Sequence, residues 1–559
     1  MGKKKRAEAT LPAAVISKVP FEERFLWQAA ALMLLVVLAY SNSLSSSFHF
    51  DDTDIVNDPY ITGPGFGWAL FRLAQTRPLT YLTFHWNYLA GGPDPLGYHW
   101  VNLLLHAANC ILLLAIARRY LSAWVAGCIA VVFALHPLQS EAVTYVFARS
   151  TLLSTHLALW ALWFYIRERW VWSAALFGFS LLAKEETAAL PALLLLLDWW
   201  QRKRPRPAYY VFLAGFTAAF AARLLYLIYT APAAPGIGRV RGMTGTDYLL
   251  TQGRVLWDYL GLALFPSGLN LDHDVAISHG LFSPWSTAAA WIGLAAVCGC
   301  LIWLAWKREG NSANHAAAVW ALGFFVLISP SSSIVAQADL MFEHRTYLPM
   351  VCLVMALGFL LERLRRPTLT AALCLLAPAM LVATVDRNSV WHDEKSLWTD
   401  IMAKSPRKGR SYMGLARAIA TDDPVRAREL LRQGLELEPD NAEIQTNYGI
   451  ALLGARQPEA ALAHFQQAMA LTRETADTWN NIGAARYTMQ QYAEASTSYQ
   501  RALQLDICSY NARRNLVMLY GQNHQPQQAW VTGEIPQACH MLSQQVQELE
   551  NLRRQMGKP

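Results

Sequence analysis

The chain has 559 residues, 54% of them hydrophobic, and a formal net charge of +7 at pH 7. A mean hydropathy of +0.19 is too high for an ordinary soluble protein of this size. The positive charge does not indicate nucleic-acid binding, because the lysines and arginines cluster at the ends of apolar runs.

Apolar runs fill the first 384 residues, and a run of about 20 apolar residues is a candidate membrane span. The first run follows the basic segment 3–6 and is interpreted as an uncleaved span, because no convincing signal-peptide cleavage site follows it. Three of the runs are short, so they either extend into their flanks or cross only part of the membrane. We predict eleven spans, at residues 25–41, 99–117, 122–136, 151–166, 171–183, 187–200, 208–229, 285–306, 315–330, 346–362 and 368–384.

The distribution of cations predicts the orientation of these spans. With the N-terminus in the cytoplasm, the inner segments hold 19 lysines and arginines and the outer loops hold eight. Cytoplasmic loops are typically the more positive, and an odd number of spans places the C-terminal part outside. The inner cations are Lys3, Lys4, Lys5, Arg6, Lys18, Arg24, Arg118, Arg119, Arg167, Arg169, Arg202, Lys203, Arg204, Arg206, Lys307, Arg308, Arg363, Arg365 and Arg366. The outer cations are Arg72, Arg77, Arg149, Lys184, Arg239, Arg241, Arg254 and Arg345.

A 34-residue repeat follows the last apolar run. Asn447-Tyr448-Gly449 recurs as Asn481-Ile482-Gly483, and Asn515 continues the series. This period, with small residues at packing positions, is the signature of tetratricopeptide (TPR) repeats, whose arrays form grooves that bind peptides or proteins. We predict three repeats, a partial fourth at 511–523 and a capping helix at 537–554. The predicted domains are a membrane domain at 1–384, a linker at 385–404 and a TPR domain at 405–559.

Two cysteines, Cys508 and Cys539, lie in the soluble part. A disulfide between them is conceivable outside the cytoplasm. We nevertheless expect free thiols, because two thiols in separate helices must meet within a narrow distance to form a bond.

The most acidic stretch begins at Phe50, directly after the first predicted span, and carries four carboxylates. For Asp54 and Asp58 we favour a hydrated loop with helix-capping side chains. The adjacent Asp51 and Asp52 are different, because neighbouring carboxylates at a low-dielectric boundary raise each other's proton affinity. One member of the pair could then serve as a general base.

Ionisable residues from four other segments fall at outer ends of spans, on the same predicted face as the acidic pair. Such groups could hold a lipid-phosphate leaving group, and ionisable groups at membrane depth are functional hypotheses by default. The structural alternative is interfacial snorkelling or local pairing, such as Arg149 with Glu141, or Lys184 with Glu185 or Glu186. The available donors are Arg77, Arg149, Lys184, Arg345, His85, His99, His136 and His344.

The loop at 230–284 contains Asp272, His273 and Asp274, which could bind a divalent cation. Three adjacent loop residues rarely do so alone, so a solvated turn is favoured. The sequence therefore predicts no metal site, and assistance by a divalent metal is unsupported.

Six groups of motifs, taken in order along the chain, carry a family resemblance. They are Phe50-Asp51-Asp52 with Arg77-Pro78-Leu79-Thr80, then Tyr98 to His106, then Leu135-His136-Pro137 with Glu141 and Arg149, then Leu182-Ala183-Lys184-Glu185 with Thr187, then Glu343 to Pro349, and finally Trp391, Glu394, Leu397 and Trp398. In combination they resemble the transmembrane-and-TPR-repeat-containing O-mannosyltransferases. The chain departs from that family in having few TPR units and in lacking the glycine often found after Lys184-Glu185.

The resemblance implies a GT-C fold, built as an all-α polytopic membrane bundle followed by a TPR α-solenoid. It implies an inverting glycosyltransferase that uses a lipid-phosphate-linked sugar. The compact architecture suggests a bacterial relative, for which a polyprenyl-phosphate sugar is expected in place of dolichyl-phosphate-mannose. The expected location is the inner membrane, with the active site and TPR domain on the periplasmic side, acting on Ser or Thr hydroxyls of exported proteins.

The residues and the resemblance together predict a set of roles. Asp51 or Asp52 would be the catalytic base, with Asp52 slightly preferred, although the pair is the safer unit of prediction. The predicted phosphate-binding residues are Arg149, Lys184, His136 and Arg345. The predicted supporting residues are Glu141, Glu185, Glu343, Arg77 and His99, with Glu343 orienting Arg345. The acceptor would contact Asn447, Asn481 and Asn515 of the TPR domain.

Two alternatives stay open on the sequence alone. The first is a GT-C transferase that modifies a glycolipid or polysaccharide, and the TPR groove argues against it. The second is a non-enzymatic membrane-anchored TPR scaffold or a transporter subunit. A transporter would carry ionisable residues near mid-membrane on both halves, whereas here they crowd one face.

Overall fold

The structure is a computed structural model that describes residues 23–63, 76–230, 242–307, 312–536, 539 and 541–555. Over these residues it is helical, with no strand beyond an isolated bridge between Gly280 and Ser283. The predicted all-α class is therefore confirmed. Nine of the cations used to predict the orientation lie outside the described residues, namely Lys3, Lys4, Lys5, Arg6, Lys18, Arg72, Arg239, Arg241 and Arg308.

The helices before the repeats are α1 (Glu23–Tyr40), α2 (Asp52–Asn57), α3 (Pro59–Thr62), α4 (Pro78–Gly91), α5 (Pro95–Ala117), α6 (Ala123–Leu135), α7 (Ser140–Thr144), α8 (Arg149–Ile166), α9 (Trp170–Ala183), α10 (Leu190–Gln201), α11 (Pro207–Thr230), α12 (Gly245–Leu264), α13 (Ser286–Trp306), α14 (Ser312–Ile328), α15 (Tyr347–Leu361) and α16 (Arg366–Ser389). A helix lies at each of the eleven predicted runs. The longer helices α4 and α12 were not predicted, although Pro78 at the start of α4 and the Thr244–Asp247 capping box of α12 are local helix-start signals.

Six described helices are long and apolar enough to cross a membrane, so the chain is a multi-pass membrane protein. The helix α6 and the segment Pro137–Thr144, bent by 53°, would make a seventh if they count as one span. The six lie at Phe25–Ser45, Pro95–Ala117, Pro207–Leu227, Ser286–Trp306, Glu343–Leu361 and Arg366–Ser389.

Two of these helices are central and the others are peripheral. The protein buries 67% of the apolar residue window in the span Pro95–Ala117 and 72% of the window in the span Glu343–Leu361. In each of the other four spans, at most 22% of the window is buried. Polar groups inside the bundle bond to one another, as in the contact of 2.7 Å between His106 Nδ1 and the Tyr347 hydroxyl. The motifs at Tyr98–His106 and Glu343–Pro349 therefore lie in the two most enclosed spans.

Beyond Ser389 the helices form an α-solenoid. They are α17 (Glu394–Lys404), α18 (Gly409–Ile419), α19 (Pro424–Leu437), α20 (Ala442–Gly454), α21 (Pro458–Leu471), α22 (Ala476–Thr488), α23 (Tyr492–Leu505), α24 (Tyr510–Gln522), α25 (Pro526–Thr532) and α26 (Ser543–Gln555). The helices α18 to α25 form four antiparallel pairs, and α26 packs against the last pair. The start of the predicted capping segment, at residues 537, 538 and 540, lies outside the described residues.

Close helix packing explains the glycines of the 34-residue repeat. A Cβ atom at Gly449 would lie 2.5 Å from the Phe465 ring, and one at Gly483 would lie 2.6 Å from the Tyr499 ring. Only glycine lets the two helices of each pair approach this closely. The period of 34 thus reflects a repeated contact between a glycine and an aromatic ring.

The segment 385–404, predicted as a linker, is itself largely helical and packs against both domains. It contains the end of α16 and the whole of α17. One apolar core cluster joins Tyr145 and Leu271 of the membrane domain to Trp398 of α17 and Met413 of α18. The first repeat therefore packs directly against loops of the membrane domain.

The expectation of two free thiols in the TPR domain is wrong. Cys508 and Cys539 form a disulfide, with Cα atoms 5.3 Å apart. The chain between them turns back through α24 and α25, which a count of sequence separation does not reveal.

Candidate active site

The acidic loop after α1 is held by its neighbours. The backbone N–H of Ser47 donates to the carbonyl oxygen of His392 at 3.1 Å, and His49 Nε2 donates to that of Trp391 at 2.5 Å. Phe50 has a φ of 52°, a left-handed conformation that a bulky residue rarely adopts. This conformation positions Asp51 at the start of α2.

Asp52 is fully buried and joins two segments of backbone. Its carboxylate accepts hydrogen bonds from the N–H of His49 at 3.1 Å and from that of Phe147 at 2.6 Å. Burial raises the pKa of Asp52 well above its ordinary value, although these backbone donors act in the opposite direction. Asp52 thus fixes the acidic loop against the segment that leads into α8.

Asp51 is only partly buried, and its carboxylate accepts a hydrogen bond of 3.0 Å from the Tyr145 hydroxyl. Burial raises the pKa of Asp51, while the Tyr145 hydrogen bond and the positive charge of Arg410 lower it. An accessible carboxylate with an elevated pKa has the properties of a general base.

Two of the predicted cations pair with the carboxylates that follow Ala183. Lys184 Nζ lies 3.0 Å from Glu186 Oε1 and donates to the Thr151 hydroxyl at 2.7 Å. Arg77 donates two hydrogen bonds, of 2.7 and 3.2 Å, to Glu185. Burial raises the pKa of Glu185, but the charge and hydrogen bonds of Arg77 outweigh this and lower it to about 2. The local pairing that the sequence offers as the alternative for Lys184 is therefore present, with Glu186 as the partner.

Arg345 reaches the same region from the start of α15. It donates to the carbonyl oxygen of Asp339 at 2.9 Å and to the Tyr248 hydroxyl of α12 at 3.3 Å. Glu343 does not bond to Arg345, because its Oε1 atom accepts from the N–H of Asn270 at 2.5 Å and lies 2.9 Å from His273 Nε2. The predicted orienting role of Glu343 is therefore not seen; Tyr248 and the backbone at Asp339 take that place.

Glu141 bonds to the segment that carries Arg345. Its carboxylate lies 2.5 Å from His344 Nδ1 and accepts from the N–H of Glu343 at 2.9 Å. The alternative pairing of Glu141 with Arg149 does not occur. Glu141 instead fixes the loop before α15 against α7.

These residues form one charged cluster on the predicted outer face. Arg77, Lys184 and Arg345 all act electrostatically on His344. The charges of Arg77 and Asp51 both influence the Tyr81 hydroxyl. Arg410 forms an ion pair with Asp339, and its charge also influences Asp51. The charged cluster consists of Asp51, Arg77, Lys184, Glu185, Glu186, Asp339, Arg345 and Arg410.

Three predicted site residues are bonded elsewhere. Arg149 is fully buried and donates to Asn102 Oδ1 and to the carbonyl oxygen of Tyr98, both at 2.9 Å. His136 lies with Nε2 3.1 Å from the carbonyl oxygen of Ala263, and its Nδ1 accepts from the N–H of Leu138. His99 Nε2 lies 3.1 Å from the carbonyl oxygen of Ser46. All three brace the backbone around the charged cluster.

The structure also brings in residues that the sequence analysis missed. Tyr145, Asp339 and Arg410 contact or surround Asp51, but they lie in three separate segments. No local pattern marks them. Tyr248, the partner of Arg345, differs from these three residues, because it directly follows the Thr244–Asp247 capping box, which marks the start of α12 in the sequence.

The three asparagines of the repeats occupy equivalent positions on α20, α22 and α24 and are partly exposed. Asn515 Nδ2 donates to Asn480 Oδ1 at 2.9 Å, and Asn447 Nδ2 donates to the carbonyl oxygen of Glu443 at 2.8 Å. Asn480 Nδ2 donates to Asn481 Oδ1 at 3.5 Å. They form a row along the first helices of successive repeats.

Within the described ranges, no three or more His, Cys, Asp or Glu side chains are arranged to hold a metal ion. The segment Asp272-His273-Asp274 is not a solvated turn. Its side chains contact Lys408, Glu343 and Arg407, respectively. This segment therefore joins the membrane domain to the repeats.

Comparison with known proteins identifies relatives for most of the chain. It is 24% identical to protein O-mannosyl-transferase Tmtc3 of Drosophila melanogaster, over 86% of this chain and 59% of that protein. It is 26% identical to protein O-mannosyl-transferase TMTC3 of Mus musculus, over 86% of this chain and 55% of that protein. It is also 26% identical to Drosophila melanogaster Tmtc1, over 69% of this chain and 58% of that protein. The chain thus spans less than two thirds of the length of these relatives.

The soluble part has relatives of its own. A tetratricopeptide-repeat family model matches residues 418–482. The crystal structure of MamA, 17% identical, aligns with 29% of this chain and 89% of that chain at a TM-score of 0.23. The chain is therefore related to the TMTC proteins and carries a TPR region, as the motifs predict.

Proposed function

We propose that this chain, as a relative of the TMTC proteins, is a membrane-embedded protein O-glycosyltransferase. It would move a sugar from a polyprenyl-phosphate donor to Ser or Thr hydroxyls of exported proteins. The observation that carries this proposal is the charged cluster, which contains a partly exposed aspartate with a raised pKa, Asp51, and three cations, Arg77, Lys184 and Arg345. The relatives' names support sugar transfer to protein.

The base in this proposal is Asp51. It takes the proton of the acceptor hydroxyl, and the acceptor oxygen attacks the anomeric carbon of the sugar from the face opposite the phosphate. The bond between that carbon and the phosphate oxygen breaks, so the configuration inverts and the polyprenyl phosphate leaves with the bonding electrons. Asp52 is unsuited to this task, because its carboxylate is enclosed and already accepts two backbone hydrogen bonds.

The phosphate would bind at Lys184, Arg77 and Arg345. Preorganised cations lower the energy of charge that develops on a leaving group. Each of the three is already oriented by a protein partner, namely Glu186, Glu185 and the backbone at Asp339. We assign Arg149, His136 and His99 to positioning this site, because each is at most 1% exposed, less than any of the three cations, and bonds to uncharged protein groups.

A lipid-linked donor also needs a path for its chain. A largely apolar groove of about 400 Å³ lies between α9 and α11, lined by residues that include Phe179, Leu182, Phe216, Phe220 and one cation, Arg223. Leu182 is two residues before Lys184 in the sequence, so we place the phosphate end of the donor at this end of the groove. This continuity favours a polyprenyl phosphate over a soluble nucleotide sugar.

The acceptor polypeptide would approach from the TPR domain, along the row formed by Asn447, Asn481 and Asn515. This requires the repeats and the charged cluster to share the extracytoplasmic side of an inner membrane. The disulfide between Cys508 and Cys539 supports that placement, because disulfides persist in oxidising compartments.

Intact-mass analysis of exported proteins, with and without this gene, tests the proposal. A mass increment that disappears from a protein when the gene is removed, and returns with the wild-type chain but not with Asp51→Asn, would give both the acceptor and the sugar. Unchanged masses in every exported protein would contradict protein glycosylation.

A further inference from the structure

The TPR domain is joined to the membrane domain by a seam of opposite charges. The seam consists of residues 404–410 packed against residues 269–274 and Asp339. Lys404 Nζ donates to the carbonyl oxygen of Leu269 at 2.7 Å, and Arg407 Nε lies 2.8 Å from Asp274 Oδ2. Further contacts join Lys408 to Asp272, and Ser405 to Asn270 and to the carbonyl oxygen of Asp272. The first repeat is therefore fixed to the outer loops.

One seam residue reaches further than the others. Arg410 Nη1 lies 2.7 Å from Asp339 Oδ1, and the guanidinium carbon lies 4.7 Å from the centroid of the Phe50 ring. Arg345 bonds to the backbone of the same Asp339. Arg410 thus contacts Phe50, which precedes Asp51, and Asp339, whose backbone holds the proposed phosphate ligand Arg345.

The backbone at Phe50 needs such support. A left-handed φ of 52° is unfavourable for a bulky residue and persists only where surrounding contacts hold it. The Phe50 ring packs against Tyr145 at 6.3 Å and against Trp398 of α17 at 6.0 Å. Trp398 in turn lies directly on Gly414 of α18, where a Cβ atom would clash with the indole. Of the three groups that hold the Phe50 ring, Arg410 belongs to the TPR domain, and Trp398 lies in the segment 385–404 that packs against the first repeat.

We propose that Arg410 is a positioning residue for Asp51, so that the first TPR repeat completes the active site as well as carrying the acceptor. This inference rests on the proposed function. Docking of the repeat holds Phe50 in its left-handed conformation and so fixes Asp51, while the Arg410–Asp339 pair links this loop to the segment that holds Arg345. The base and the phosphate site are then aligned only when the seam is closed.

The charge of Arg410 has a second effect. It lowers the pKa of Asp51, together with the Tyr145 hydrogen bond, against burial and the carboxylates of Asp54 and Asp339, which raise it. Two other titratable groups interact electrostatically with Asp51, namely the neighbouring Asp52 and Tyr81 of α4. Removal of Arg410 should therefore move the pKa of the base upward.

The test compares Arg410→Ala and Arg410→Lys with Arg407→Ala in the full chain, reconstituted in nanodiscs. Arg407→Ala is the matched control, because it removes the same charge and an ion pair of the same seam. The Arg407 side chain is 77% exposed, so its pair with Asp274 contributes little to stability. We expect Arg410→Ala to lower kcat about 10- to 100-fold, since small misplacements of reacting groups cost that much. The acid limb of the pH–rate profile should move to higher pH, because loss of the Arg410 charge raises the pKa of Asp51. Arg410→Lys should recover part of the rate, and Arg407→Ala should behave as wild type.

Amide hydrogen exchange of residues 49–54 provides a readout that does not depend on activity. It should increase in Arg410→Ala and stay at the wild-type level in Arg407→Ala. Equal exchange and equal kcat in the two alanine variants would overturn the proposal. Absence of transfer in the wild type would contradict the proposed function alone, and the exchange data would still decide whether Arg410 holds the acidic loop.

Discussion

At the scale of single residues, the acidic pair divides into two different tasks. Asp52 is enclosed and accepts two backbone N–H groups, whereas Asp51 is partly exposed and bonds to the Tyr145 hydroxyl. The neighbours differ because the side chains of consecutive residues at a helix start point in different directions. Substitution of the two residues should therefore affect different properties.

Asp51→Asn should lower the rate of transfer by about 10²- to 10⁴-fold, the usual contribution of a general base, with no change in thermal stability. Asp52→Asn should lower the melting temperature, because its amide would place a donor beside backbone donors, at a cost of about 1–3 kcal/mol. A transfer assay and thermal unfolding of both variants check this. The opposite pattern, with a stable and inactive Asp52→Asn, would restore Asp52 as the base.

The pH dependence of transfer reports on Asp51. Because a base must be deprotonated, the rate should rise with pH through the pKa of Asp51, which burial places above the ordinary value. Tyr145→Phe removes a hydrogen bond that lowers this pKa, so the acid limb of the profile should move to higher pH. Asp54→Asn removes a carboxylate that raises it, so the limb should move to lower pH. Shifts in the same direction in both variants would contradict this assignment.

At the scale of elements, Arg149 is the residue on which the segment before α8 depends. It contacts Asn102 and the backbone of Tyr98 on α5, and its guanidinium lies 4.5 Å from the Phe84 ring of α4. It therefore joins α4, α5 and α8. Lysine cannot reproduce the planar arrangement of these donors.

Arg149→Lys and Lys184→Gln should separate packing from donor binding. Arg149→Lys should lower thermal stability, since each lost hydrogen bond to a charged group costs about 1.5–3 kcal/mol. Lys184→Gln should keep the fold and raise the KM for the donor about 10- to 100-fold through loss of a charge-assisted bond to phosphate. Measurement of the melting temperature and the donor KM of both variants tests this separation of roles. A raised KM with full stability in Arg149→Lys would return Arg149 to the phosphate site.

Hydropathy and the 34-residue period predicted the helices well, because burial in lipid or against a neighbouring repeat requires a periodic apolar face. The helix α12 was missed because Asp247, Arg254 and Asp258 interrupt its apolar residues. The order of the apolar runs also predicts that the charged motifs share one face. The sequence could not give side-chain directions, and in the structure His136 and Arg149 contact protein oxygens.

At the scale of the whole molecule, the orientation of the TPR domain can be tested with its two cysteines. If the domain is extracytoplasmic, Cys508 and Cys539 should resist alkylation in intact cells until a reductant is added. The variant Cys508→Ser should leave Cys539 free and therefore labelled without reductant. Labelling of both thiols in the unreduced wild type would place the domain in the cytoplasm and contradict the proposed topology.

The seam changes how a protein acceptor can be distinguished from a glycolipid. Deletion of residues 405–559 would also remove Arg410 from Phe50, so loss of activity would not identify the acceptor. Substitution of Asn447, Asn481 and Asn515 by alanine leaves the seam intact and removes only polar groups from the row along the repeats. We expect this triple variant to raise the KM for a protein acceptor at least about tenfold, since each lost hydrogen bond is worth about 0.5–1.5 kcal/mol. Transfer to a small hydroxyl-bearing acceptor should be unchanged, because Asp51 and the cations are untouched.

An enzyme acting on glycolipids would show wild-type kinetics in this variant with its own acceptor. A wild-type KM for the protein acceptor would show that the repeats do not bind the acceptor through these asparagines.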